Sequence, residues 1–208
     1  MTWEPLNKVG EESYDPWPVL DEFRNVDTYR HELALSLVKS RCDLDATIVD
    51  VGCGDGILIG MLAEAGYHNL FGTDISWEGL TRTHHKYPYV TTLQADLTKV
   101  ENLWQGILGG FYAAICTEVL EHLPSDDDVQ HVMRLIHDAL VPGGYAIISI
   151  PDDNICEVDS DHRRLFNPGD EVTILKDAGF VNVQPIEYRY SDQHPRPWMY
   201  AVGQRSHE

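Results

Sequence analysis

Apolar positions along the chain follow two alternating rhythms. Short, nearly unbroken apolar runs at Thr47–Val51, Leu70–Thr73, Val90–Leu93, Phe111–Cys116 and Tyr145–Ile150 read as strands buried on both faces. Between them, Ile57–Ala65, Trp77–Lys86 and Val129–Leu140 carry the wider spacing of helices, as does Tyr29–Lys39 upstream with Leu33, Leu37 and Val38. Asp126, Asp127 and Asp128 lead into Val129, and acids suit the start of a helix. Alternation of this kind predicts a buried parallel sheet in an open α/β fold.

The last forty residues change rhythm. A helix over Asp170–Ala178 stops at Gly179, and Val181–Tyr190 and Trp198–Gly203 read as two further strands. The intervening Ser191–Pro197 is too short for a helical crossover, so these strands should pair antiparallel. The expected architecture is Rossmann-like and doubly wound: a mostly parallel seven-stranded sheet with a C-terminal antiparallel hairpin and helices on both faces. Residues 1–25 lack periodicity but hold Trp3, Tyr14, Trp17 and Phe23, and read as an irregular arm covering a site. Residues 26–208 then form one domain.

Length and composition fit that picture. A chain of 208 residues with 43% hydrophobic and 24% charged residues suits one soluble domain with a full core. No run reaches the ~20 apolar residues of a membrane span. The start shows neither the basic stretch nor the apolar core of a secretory leader, so no membrane partner and a cytoplasmic location are expected. Cys42, Cys53, Cys116 and Cys156 are scattered without C-x-x-C spacing and read as free thiols. Fifteen basic against 34 acidic residues leave a net charge of −19, which repels a long polyanion. The longest basic run is Arg163-Arg164, so duplex nucleic acid is not an expected partner. Oligomeric state is left open.

The chemistry begins at VDVGCGDG (49–56), where a strand hands over to a helix. Glycines at 52, 54 and 56 permit a tight turn and let backbone approach a ligand. Asp74 comes 22 residues after Gly52, at the end of the second strand, where an acid can bind ribose hydroxyls. Asp96 closes the third strand and Glu118 the fourth, again at steps of 22. Ligands in open α/β sheets bind at the carboxyl ends of the strands, so these acids should line one crevice. The G-x-G-x-x-G spacing of dinucleotide folds is not met, and Asp55 stands in the loop where a pyrophosphate would need an acid-free helix start. A cationic ligand tolerates that acid.

Together with FGTDIS (71–76), LQADL (93–97), EVLEHLP (118–124), LVPGGYAIISIP (140–151) and HRRLFNPGDEVTILKDAGF (162–180), the glycine loop resembles the class I S-adenosylmethionine-dependent methyltransferases. The similarity is to the small-molecule methylases of the ubiquinone-biosynthesis type. It implies S-adenosyl-L-methionine as cofactor, with Gly52, Cys53 and Gly54 beside its methionine part and Asp50 anchoring the loop. Asp74 would hold the ribose, Ile75 would pack on the adenine, Asp96 would bond the adenine amino group, and Leu97 would lie beside the ring. Thr117 and Glu118 would border the methyl-transfer face. The N-terminal Tyr14, Trp17 and Tyr29 would cover the cofactor, and Asp152–Arg164 would shape the acceptor pocket.

The EVLEH segment supplies the catalytic expectations. His122 is the expected general base, with Glu118 and His162 beside it and Glu121 nearby, around a small-molecule acceptor and without a metal. Two alternatives stand next to this reading. One is a metal-dependent RNA 3′-end ribose methyltransferase, because in that group a similar segment and a downstream histidine bind a divalent ion; its ligands would be Glu118, Glu121, His122 and His162. The other is a non-catalytic S-adenosylmethionine-binding partner subunit. Trp104 and Trp198 are expected to pack in the core, and His84, His85, His131 and His137 to lie at the surface.

Overall fold

The computed structural model describes residues 29–104, 107, 110–152, 161–186 and 198–207. The arm with Trp3, Tyr14, Trp17 and Phe23, the middle of the loop after the fifth strand with Cys156, and the 187–197 connection lie outside the described residues.

Two compact units divide at Val100. The first holds α1 (Tyr29–Lys39), β1 (Ile48–Val51), α2 (Ile57–Glu64), β2 (Leu70–Asp74), α3 (Trp77–Lys86) and β3 (Thr91–Gln94). β1 pairs with β2 and β2 with β3, both parallel, which sets Val51 beside Thr73 and Thr73 beside Leu93. All four β1 residues are buried, as the unbroken apolar run predicts for a strand covered on both faces. Ala34 and Val38 of α1 and Leu58, Ile59 and Leu62 of α2 form the surrounding core. α3 starts at Ser76, whose hydroxyl accepts the Gly79 N–H at 3.0 Å, an N-cap that fixes where the chain turns after β2.

The second unit holds β4 (Phe111–Thr117), a single 3-10 turn (Leu120–His122), α4 (Asp126–Ala139), β5 (Leu140–Pro151), α5 (Asp170–Asp177), β6 (Val181–Ile186) and β7 (Trp198–Gln204). β4 and β5 run parallel, while β7 runs antiparallel to both β5 and β6. The hairpin expected from the short connection is present. Strand order is β3-β2-β1 in the first unit and β4-β5-β7-β6 in the second.

Among the described residues, two element starts differ from expectation by more than one residue. The three acids before Val129 lie inside α4, in its first turn, because Ser125 caps the helix by accepting the Asp128 N–H at 3.1 Å. β5 starts at Leu140 rather than Tyr145, running straight out of α4 through Val-Pro-Gly-Gly. Leu140 pairs with Phe111, and the register shifts before Ala113 meets Tyr145. A Cβ on Gly144 would lie 2.9 Å from the Val141 oxygen and 3.1 Å from that of Phe111. Glycine therefore lets the irregular start of the strand close against its neighbour.

Candidate active site

The glycine loop hangs from the end of β2: the Gly52 and Cys53 N–H groups both donate to the Thr73 carbonyl, at 2.7 and 3.0 Å. Gly52, Gly54 and Gly56 all have positive φ, at 82°, 47° and 74°, a run of left-handed positions that other residues adopt only with strain. Both polar groups of Gly54 are gripped by the chain itself. Its N–H donates to Asp74 Oδ2 at 2.8 Å, and its carbonyl accepts from Thr83 Oγ1 of α3 at 2.9 Å. A Cβ on Gly56 would lie 2.7 Å from Thr83 Cγ2. Arg82 of α3 holds Asp55, with Nε and Nη2 each 2.9 Å from Oδ1.

Asp55 is not an open carboxylate at the loop mouth, because the Arg82 guanidinium is paired with it. The anion that matters is Asp74, which occupies the Gly54 N–H and also accepts the Ser76 N–H at 2.8 Å. A pyrophosphate would meet a donor already taken and a negative charge in its place. Burial raises the Asp74 pKa even against the N–H groups of Ser76, Gly54 and Ile75. Asp50 is also buried; burial first, and the Asp74 charge second, push it up to about 7. Two buried acids beneath a loop favour a cation there, and a sulfonium compound carrying an ammonium is one.

Cys53 is buried and its thiol lies well above its ordinary range, chiefly through burial and then through the charges of Asp50 and Asp74, so it is no nucleophile at neutral pH. Ile75 is a large apolar side chain left 44% exposed directly after Asp74. Leu97 is buried. Asp96 accepts the Thr98 N–H at 3.1 Å and its hydroxyl at 2.7 Å, and pairs with Lys99 at 2.7 Å. Burial opposes the Asp96 charge, but the Lys99 and Thr98 donors together outweigh it and hold the carboxyl below its ordinary range.

In the second unit β4 delivers Thr117, and the chain then turns sharply. Glu118 has a left-handed φ of 57°. Its Oε1 accepts the Ser149 hydroxyl of β5 at 3.0 Å and its Oε2 the Trp198 indole N–H of β7 at 2.6 Å. Trp198 is thus buried, as expected, but also holds a carboxylate. The 3-10 turn that follows buries Leu120 and Glu121 completely. The Glu121 carbonyl accepts the N–H groups of Arg163 at 2.8 Å and Arg164 at 3.1 Å, docking the segment that carries His162. The His122 and His162 rings meet edge-on, 5.3 Å apart at 78°. His122 Nδ1 faces the Asp161 carbonyl at 3.3 Å and its carboxylate at 3.6 Å. Oxygens there only accept, so they match the tautomer with its hydrogen on Nδ1, whose lone pair lies on Nε2.

Of the four residues named for the metal alternative, three come together. Glu121, His122 and His162 each offer a ligand-type atom within 4.8 Å of the others, a carboxylate-imidazole set of the kind that suits a divalent transition ion. Glu118 is not in that set; both of its oxygens serve Ser149 and Trp198. Of the expected surface histidines His85 is exposed, while His84, His131 and His137 are half-buried, His137 packing edge-on against Phe180 at 5.1 Å. Ser149, Thr83 and Arg82 are not signalled by the sequence, and Asp161, inside the segment expected to shape the acceptor pocket, is not signalled as the partner of His122. Each acts on a residue 27 to 39 positions away, with no local signature.

A sequence family described as a methyltransferase domain matches residues 21–185, and the chain belongs to it. It is a class I S-adenosylmethionine-dependent methyltransferase-family protein, with S-adenosylmethionine as its cofactor. Among its relatives is the ubiquinone biosynthesis O-methyltransferase of Ralstonia nicotianae, 31% identical over 146 residues, which are 69% of this chain and 59% of that protein. Another is the N-demethylindolmycin N-methyltransferase of Streptomyces griseus, 26% identical over 169 residues, 76% of this chain and 70% of that one. The chain therefore spans about three fifths of the Ralstonia protein. Among solved structures, the methyltransferase domain of bacterial CtHen1-C superposes with a TM-score of 0.66 at 20% identity, covering 85% of this chain and 97% of that one. At that identity it shows the fold alone.

Proposed function

We propose that the chain transfers the sulfonium methyl of S-adenosylmethionine, by in-line displacement, to an O, N or C nucleophile of a small-molecule acceptor in the cytoplasm. The observation that carries the donor half is Asp74 seated in the glycine loop above buried Asp50, a site built for a cation. Gly52, Cys53 and Gly54 flank the methionine part, Asp74 binds the ribose, and Ile75, Asp96 and Leu97 frame the adenine. Thr117 borders the transferring methyl.

The sulfonium is already activated, so the protein supplies orientation, a dry site and a proton acceptor. The acceptor atom forms its bond to the methyl carbon as the carbon–sulfur bond breaks, and its proton leaves to a base. His122 is that base: Asp161 fixes the hydrogen on Nδ1, which leaves Nε2 to take the proton. His162 packs on the ring and sets its plane. A charge of −19 supports a small acceptor over a polyanion. The relatives' names include both an O- and an N-methyltransferase, so the attacking atom stays unspecified.

The test incubates the protein with methyl-labelled S-adenosylmethionine and a deproteinised metabolite extract. Labelled small-molecule product, reduced at least about tenfold in His122→Ala, is the expected result. Cofactor binding without transfer would favour the non-catalytic partner subunit instead. Stoichiometric manganese binding in calorimetry, abolished by His122→Ala, would overturn the metal-free base.

A further inference from the structure

We infer that Glu118 is a positioning residue rather than an acid or base: its carboxylate, clamped by Ser149 and Trp198, holds the left-handed turn that aims the Leu120–His122 segment. This rests on the proposed role of His122. A glutamate at φ 57° is strained, since its Cβ crowds the backbone in the left-handed region. Such strain persists only where surrounding contacts over-determine it, and here they are visible. Oε1 takes the hydroxyl of fully buried Ser149, Oε2 takes the indole N–H of buried Trp198, and the Glu118 N–H points at the Ser149 carbonyl at 3.4 Å.

The turn lies between two fixed points. Thr117 is still in β4, paired with Ser149, and Leu120 and Glu121 are locked in the core three residues later. A left-handed residue between them redirects the chain within one step, which brings His122 round to Asp161 and His162. The clamp reaches across β5 to β7, so the last strand contributes a side chain to the arrangement of the catalytic turn. Trp198 is the second positioning residue.

The test separates backbone from carboxylate. Asparagine and glycine accept the left-handed region with little or no cost, whereas alanine does not. Glu118→Asn and Glu118→Gly are expected to keep the His122 imidazole 15N resonances near those of the wild type, and Glu118→Ala to shift them. In the labelled-methyl assay the first two should exceed Glu118→Ala by about fivefold, the population change that a left-handed penalty of about 1 kcal/mol implies. Trp198→Phe, which keeps the ring and loses the donor, should shift the same His122 resonances. Three Glu118 variants with equal rates and equal His122 spectra would overturn the inference. The spectra need no acceptor, so an inactive wild type would count against the proposed function alone.

Discussion

Gly56→Ala probes the packing of the cofactor loop most sharply. The new Cβ would stand at a φ of 74° and 2.7 Å from Thr83 Cγ2, 2.8 Å from its Oγ1 and 3.2 Å from its Cβ. The left-handed position costs about 1–2 kcal/mol, and overpacking a buried contact adds about 1–3 kcal/mol. Thr83 is fully buried, so it has nowhere cheap to move. A domain of this size has about 5–15 kcal/mol of stability, so the variant should fold but lose a sizeable part of it. Thr83→Ala removes both close atoms along with the hydrogen bond to the Gly54 carbonyl, at a cost of about 1 kcal/mol by itself. In the double variant the two closest atoms are gone, leaving the Cβ contact at 3.2 Å, the lost hydrogen bond and the backbone penalty. Urea unfolding of the four proteins should therefore show a favourable coupling of about 1–3 kcal/mol, and S-adenosylmethionine affinity should follow the same order. Additive costs, or a Gly56→Ala variant within about 0.5 kcal/mol of wild type, would refute the close approach of α3 to the loop.

Three further outcomes are expected. Cys53→Ala should leave turnover within a few-fold, since the buried thiol stays protonated; a folded, inactive variant would contradict this. Asp50 sits at about 7 in the folded chain against about 3.9 unfolded, so its stabilising contribution is complete below about pH 4 and lost as pH rises through 7. Asp50→Asn should remove that slope and gain up to about 4 kcal/mol relative to wild type by about pH 8, checked by urea unfolding across pH; parallel stability curves would contradict it. A cationic cofactor favours the ionised form of Asp50 and Asp74, so calorimetry at about pH 6.5 in buffers of different ionisation enthalpy should show proton release on binding, and less of it in Asp50→Asn. Identical enthalpies in all buffers would oppose the assignment.

The central strands were legible as nearly unbroken apolar runs, and the helices as one recurring apolar face. Tyr29–Lys39 and Trp77–Lys86 match their predicted bounds, and the antiparallel hairpin followed from the length of one connection. The start of β5 was not legible, since Pro142, Gly143 and Gly144 are turn residues in isolation and are drawn into the strand by the Leu140–Phe111 pair and by the bonds of Gly143 and Gly144 to Arg205. The loop acids were read as line-mates without knowledge of their partners. Asp55 lost its assigned weight to Arg82 and Asp74 gained it, because charge pairing across 27 positions leaves no trace in local pattern. The closeness of His122 and His162 was anticipated from the resemblance. The Glu118 clamp was not, as its indole donor lies 80 positions away in a strand where tryptophan reads as packing.

The central claim is that this chain moves a methyl group from S-adenosylmethionine to a small molecule. Mass spectrometry of a metabolite extract, incubated with the protein and deuteromethyl-labelled cofactor, tests it directly. The expected result is a product carrying one labelled methyl, formed in step with one S-adenosylhomocysteine and lost in His122→Ala. Bound cofactor that remains intact, with no labelled product at any pH from about 6 to 9, would contradict the account.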